Sequence, residues 1–170
     1  AQLESFINDA DLDGRSFNNI IREMQVNASV YGTCWAILDK PKTVTNTRAE
    51  ELQQDIRPYL SIYTPENVLN WKYERLNNGR FYLTSLTLLE DLINDDAIVK
   101  VWTLEDICTY RINEFKKEYA VTKPILLDEV PNALGEIPAV CLYNQKSQRR
   151  GIGISDLNDV AEMQQSIYND

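Results

Sequence analysis

Apolar residues recur at Phe17, Ile20, Ile21, Met24, Ala28 and Tyr31. That spacing predicts one amphipathic helix from Ser16 to Tyr31 with a single buried face, Ser16 capping its start and Gly32 stopping it. Thr33-Cys34-Trp35-Ala36-Ile37-Leu38 then runs apolar without a break, which predicts a buried strand entered directly from the helix. Lys40 to Asn46 is polar and reads as a loop. Thr47-Arg48-Ala49-Glu50 is a capping box, whose Thr and Glu side chains satisfy each other's orphan amides. It opens a short helix to Ile56, closed by Arg57-Pro58.

From Tyr59 the period becomes two. Leu60 and Ile62 alternate with Ser61 and Tyr63. After Pro65-Glu66-Asn67, Leu69, Trp71 and Tyr73 alternate with Asn70, Lys72 and Glu74. Asn77-Asn78-Gly79 is a hairpin turn, and the return strand is Arg80 to Leu89. Glu90 to Asp96 reads as an acidic turn. Ile98 to Leu104 and Ile107 to Phe115 are two further strands around Glu105-Asp106, with Tyr119 to Thr122 as another candidate. Pro124 to Glu136 reads as irregular. Ile137 to Tyr143 is a short buried strand, and Asn144 to Gly153 a polar, basic, glycine-containing loop. Ser155 offers a cap, and Asp156 and Asp159 put negative charge in the first turn of a last helix. Leu157, Val160, Ala161, Gln164 and Tyr168 share one face of it. The expectation is an α+β fold: a mostly antiparallel sheet of hairpins flanked by an N-terminal helix, a short capped helix and a C-terminal helix.

Composition narrows the function. A hydrophobic content of 44% with 25% charged residues is that of an ordinary globular chain. No apolar run approaches the roughly 20 residues of a membrane span. The net charge of −9 argues against a surface that grips DNA by neutralising phosphates. There is no histidine, so the commonest general base and metal ligand is missing. Cys34, Cys108 and Cys141 lack metal-site spacing and read as buried free thiols. The chain starts at Ala and stops inside a helical pattern, which reads as a piece of something longer.

Three patterns carry candidate chemistry. Asp9-x-Asp11-x-Asp13-Gly14 matches the opening of a calcium loop, but the closing position holds Ile20 where a bidentate Glu belongs. The alternative is a turn leading to Ser16. Asp106 with Glu114-Phe115-Lys116 has the form of a metal-dependent nuclease site, two carboxylates for Mg²⁺ and a Lys beside the nucleophile; acid-x-Lys pairs are common on strands, and a solvated strand edge is the better reading. Lys146, Arg149 and Arg150 make the 144–153 loop a local basic patch. It reads as a contact for nucleic acid, as a contact for an acidic neighbouring subunit, or as a solvated loop. Gly151-Ile152-Gly153 fails the context of a dinucleotide fingerprint and reads as a flexible loop. No nucleophile motif, resident metal site or cofactor motif is present, so catalysis finds no support.

Several stretches line up in order with one family. They are Asp13-Gly14-Arg15-Ser16-Phe17 with a helix ending Tyr31-Gly32, Cys34 to Asp39 with Pro41, Arg57-Pro58-Tyr59-Leu60, and Tyr63-x-Pro65-Glu66-Asn67-Val68-Leu69-Asn70-Trp71. Ile98 to Phe115, Leu134-Gly135-Glu136-Ile137-Pro138 and Gly151 to Asn169 complete the series. Together they resemble the portal proteins of tailed bacteriophages, and Cys34 and Trp35 depart from the small residues of that pattern. The resemblance implies that residues 1–150 are a wing-like α+β domain and 151–170 the start of the helix leading toward the stem. It implies a non-enzymatic subunit of a ring, usually of twelve copies, at one capsid vertex of the virion, assembled in the bacterial cytoplasm. Double-stranded DNA passes through that ring during packaging and ejection, and the partners implied are capsid, terminase and tail connector proteins.

Overall fold

Helix α1 (Gln2–Asn8), which the apolar period does not single out, leads through an acidic turn into α2 (Phe17–Tyr31). The computed structural model describes residues 2–41, 47–115, 123–160 and 163–164. Ser16 caps α2 as expected: its hydroxyl accepts the Asn19 amide at 3.3 Å. Gly32 ends the helix in the left-handed region at φ 84°, and its N–H donates to Ala28 O at 2.7 Å. Strand β1 (Thr33–Asp39) follows at once. Then come α3 (Arg48–Gln53), whose Glu50 amide donates to Thr47 Oγ1 at 3.3 Å, and β2 (Tyr59–Tyr63).

The chain divides into two compact units, Ala1–Thr64 with Pro138–Asp170, and Pro65–Ile137. In the first unit β1 is the middle strand of a three-stranded antiparallel sheet, paired with β2 on one side and with β8 (Ala139–Tyr143) on the other. Ile20, Met24 and Ala28 of α2 pack with Ala10, Cys34 and Ala36 to form the core, which Phe6, Phe17, Leu60, Ile62 and Leu142 extend. Burying an Ile or Met there stabilises by about 1.5–3 kcal/mol each. Tyr31, the last residue of the predicted face, is exposed at the helix end.

The second unit opens on a 3₁₀ turn (Pro65–Asn67) and continues as a five-stranded antiparallel meander in chain order. Its strands are β3 (Val68–Arg75), β4 (Phe81–Ile93), β5 (Asp96–Thr103), β6 (Asp106–Ile112) and β7 (Ile125–Pro131). Leu83, Leu86, Leu88, Ala97, Val99 and Trp102 are buried in it. The Asn77-Asn78-Gly79 turn closes β3 on β4, with Gly79 at φ 80° and Leu76 N donating to Arg80 O at 2.9 Å. Trp71 and Tyr73 are half-buried and Asn70, Lys72 and Glu74 exposed, as the alternation requires, but Leu69 of the predicted face is exposed and Val68 is buried in its place, because the register shifts between Val68 and Asn70.

Three expectations are corrected in this unit. Pro124 to Glu136 is not irregular, since most of it is β7, paired along β6. The acidic stretch from Glu90 is not a turn as a whole: β4 runs on to Ile93 through a register shift between Leu89 and Asp91, and the chain turns at Asn94, φ 59°. The strand read as Ile107 to Phe115 ends at Ile112. The Tyr119 to Thr122 candidate lies outside the described residues. The fold is nevertheless α+β with mostly antiparallel sheets, as the sequence predicts.

Candidate functional site

The basic loop sits on a small ribbon. β9 (Gln145–Lys146) and β10 (Gly153–Ile154) pair antiparallel, Lys146 opposite Gly153, so residues 147–152 form a hairpin tip. Three bonds shape that tip. Ser147 Oγ accepts Arg149 N at 3.1 Å and donates to Ile152 O at 2.8 Å, and Tyr143 Oη accepts Gly151 N at 2.7 Å. Burial pushes the Tyr143 phenol above its ordinary pKa, so it stays neutral. Lys146 Nζ lies 5.8 Å from the centre of the Tyr143 ring, within range of a cation–π attraction. A cavity of about 310 Å³ opens here, lined by Tyr143, Lys146, Ser147, Gln148, Arg149 and Arg150. The fold thus brings all three basic residues singled out in the sequence to one concave place.

The ribbon is anchored to the end of α2 by a close backbone crossing. A Cβ added at Gly153 would stand 2.0 Å from Gly32 O, and one added at Gly32 would stand 2.6 Å from Gly153 O. Only glycine fits on either side. Ser155 Oγ lies 2.6 Å from Val30 O and accepts Leu157 N at 3.0 Å, while Asp156 N donates to Ser29 O at 3.0 Å. These carbonyls belong to the last turn of α2, which no further helical amide can reach. Asn144 completes the tie: its N donates to Gly32 O at 3.0 Å, and its side-chain amide donates to Ile154 O at 3.2 Å and Asp156 Oδ1 at 2.7 Å. Residues 158–160 and 163–164 are helical, consistent with the predicted cap. Leu157 and Val160 are exposed, and Ala161 and Tyr168 of the predicted face lie outside the described residues.

The acidic turn is engaged by the protein itself. Asp9 Oδ1 accepts Gly14 N at 2.8 Å and its Oδ2 meets Arg57 Nη2 at 2.6 Å. Asp11 Oδ1 accepts the amides of Asp13 and Arg15, both at 3.0 Å, and its Oδ2 meets Arg15 Nε. Burial alone would raise the Asp11 carboxyl, but Arg15 and the two amides outweigh it and hold its pKa at about 2. Arg57, 5% exposed, also donates to the Asp9 carbonyl, a role that sequence reasoning missed. Its signal was a cation among apolar residues in Ile56-Arg57-Pro58-Tyr59-Leu60.

The carboxylates of the nuclease pattern do not meet. Asp106 begins β6 and Glu114 lies beyond its other end at Ile112, with a strand of roughly 20 Å between them. Glu114 stands in a turn at φ 55°, with its N–H donating to Asp96 Oδ1 at 3.1 Å, so the strand alternation that would align it with residue 116 is absent. Lys116 lies outside the described residues. Among the described residues no three His, Cys, Asp or Glu side chains are grouped so as to hold a metal ion. Compared with known proteins, the sequence matches no family model and no curated protein.

Proposed function

We propose that this chain is the wing domain of a phage portal subunit, a structural part of the ring through which DNA enters and leaves the capsid. One observation carries the reading. Motif blocks of the resemblance that lie far apart in the chain meet pairwise in the first unit. Tyr31-Gly32 meets Gly151 to Asp156 at the glycine crossing and the Ser155 cap. The Cys34 to Asp39 block meets Arg57-Pro58-Tyr59-Leu60 in the pairing of β1 with β2, Leu38 opposite Leu60 and Asp39 opposite Tyr59. Those residues serve as tertiary ties, which is the work expected of a scaffold.

In this reading Lys146, Arg149 and Arg150 face a neighbouring subunit or the DNA. The chain as a whole carries a net charge of −9, and an acidic conduit adds little phosphate affinity and so little drag on moving DNA. Capsid, terminase and tail connector proteins are the partners, and the virion is the location. Electron microscopy of the complete gene product tests it: rings with a central hole support the reading, and a population of monomers at micromolar concentration overturns it. Replacing Lys146, Arg149 and Arg150 together by Glu is expected to lower the yield of rings or of packaged particles.

A further inference from the structure

We propose that the cavity at the tip of the β9–β10 hairpin binds a phosphate group, of the phosphodiester or pyrophosphate class. The site goes beyond the ring reading and stands on its own geometry. Lys146, Arg149 and Arg150 bring three positive charges to one five-residue stretch of a chain whose net charge is −9. Gln148 adds a neutral amide donor to the same wall. The loop that carries them is already shaped: Gly151 N is held by Tyr143 Oη, and Ser147 Oγ joins Arg149 N to Ile152 O. Less ordering is therefore needed when a ligand arrives.

The alternative occupant, a carboxylate from a second copy, fits less well. A carboxylate is planar and singly charged, and one guanidinium fork satisfies it. Three cations and an amide around one hollow suit a tetrahedral phosphate, whose oxygens leave the centre in more directions than the two of a carboxylate and which as pyrophosphate carries more than one negative charge. The hollow is open to solvent, and at about 310 Å³ it takes a phosphate with one attached sugar while the rest of a longer ligand lies outside it. One phosphate of duplex DNA held in the hollow gives a salt slope of roughly −0.9, a fall of about 3.5-fold between 50 and 200 mM salt. Such a contact holds weakly and releases readily.

The test is fluorescence anisotropy with a labelled 20-bp duplex at 50 and 200 mM NaCl, with inorganic pyrophosphate as competitor and, separately, as a calorimetric titrant. Duplex binding with the stated salt dependence, displaced by pyrophosphate and weakened at least tenfold by Lys146→Gln, Arg149→Gln and Arg150→Gln together, upholds the site with nucleic acid as the phosphate source. Pyrophosphate binding lost in that variant, without duplex binding, upholds it with a small phosphate compound as the source. Arg80→Gln, a cation of the five-stranded unit, is expected to change neither. Circular dichroism checks that the triple variant is folded; if it is not, Arg149→Gln alone is expected to weaken binding about threefold or more. The inference is overturned if neither probe binds or if the Gln substitutions leave binding unchanged. It is also overturned if they change only the oligomeric state in light scattering. Rings without phosphate binding overturn this inference alone, and binding without rings overturns the ring reading alone.

Discussion

Replacing Gly153 by Ala places a methyl group 2.0 Å from Gly32 O, 2.8 Å from Gly32 C and 3.0 Å from Thr33 Cγ2. Ordinary contact begins near 3.4 Å, so the strands of the crossing must separate by about 1.4 Å (3.4 less 2.0). The obstacle is backbone and cannot rotate away. Overpacking of this kind costs about 1–3 kcal/mol. Separation also stretches the bonds from Asn144 N to Gly32 O and from Asp156 N to Ser29 O, each contributing about 0.5–1.5 kcal/mol. The expected loss for Gly153→Ala is therefore about 2–6 kcal/mol. Gly32→Ala meets Gly153 O at 2.6 Å, a smaller overlap, but adds about 1–2 kcal/mol for a left-handed alanine at φ 84°. Gly14→Ala isolates the backbone cost, because φ there is 86° and nothing lies within 4 Å of the added carbon; about 1–2 kcal/mol is expected. The double variant Gly32→Ala/Gly153→Ala should lose less than the sum, since one separation relieves both clashes. Urea unfolding at constant m-value reads all four. A Gly153→Ala protein within about 0.5 kcal/mol of the parent would refute the close crossing.

Three further outcomes follow from the same geometry. Arg57→Met strands the Asp9 carboxylate and carbonyl, and is expected to destabilise by about 2–4 kcal/mol in urea, with Asp9→Asn in the same chain restoring part of the loss. The lowered Asp11 pKa makes its ionised form stabilising, fully so above the ordinary value of 3.8 and progressively less as pH falls toward about 2. Arg15 is 45% exposed, and solvent screening leaves about 1 kcal/mol; thermal melts from pH 5 to pH 2 should show a shallower decline for Asp11→Asn than for the parent. Burial raises both Cys34 and Cys141 from 9.0 to about 11, so their thiolate fractions near pH 8 fall about 100-fold and a disulfide reagent should label them that much more slowly in the folded protein than in urea.

The elements legible in the sequence are those whose burial is one-sided. α2 buries Ile20, Met24 and Ala28 and exposes Arg22, Gln25 and Val26, so its period survives in the residue pattern. β7 is the opposite case. It is an edge strand, and Ile125, Leu126 and Leu127 are all about half exposed, so no alternation marks it. Pro131, which argues against a central strand, is tolerated at an edge. The extent of β4 was hidden for another reason. The register shift between Leu89 and Asp91 lets the strand pass through Glu90, where the charge pattern reads as a turn. The end of β6 was overrun because Glu114 takes a positive φ that glycine or asparagine would have announced.

At the candidate site, charge was legible and shape was not. Lys146, Arg149 and Arg150 stand out in a row of letters, but the hollow between them depends on a phenol eight residues before Gly151 and on a ribbon two residues wide. Gly153 was read as flexibility, because a glycine needed for a close approach and one needed for freedom look alike until the partner strand is known. The same ambiguity governed Asp9, Asp11 and Asp13: a calcium loop and an arginine-pinned turn share their local letters, and Arg57, 48 positions from Asp9, decides between them. The basic cavity divides differently between letters and fold: Lys146, Arg149 and Arg150 fall within five residues of an otherwise acidic chain, and the β9–β10 ribbon gathers them along one hollow, so the charge that favours an anion is written locally while the shape that receives it is made by the pairing of Lys146 with Gly153.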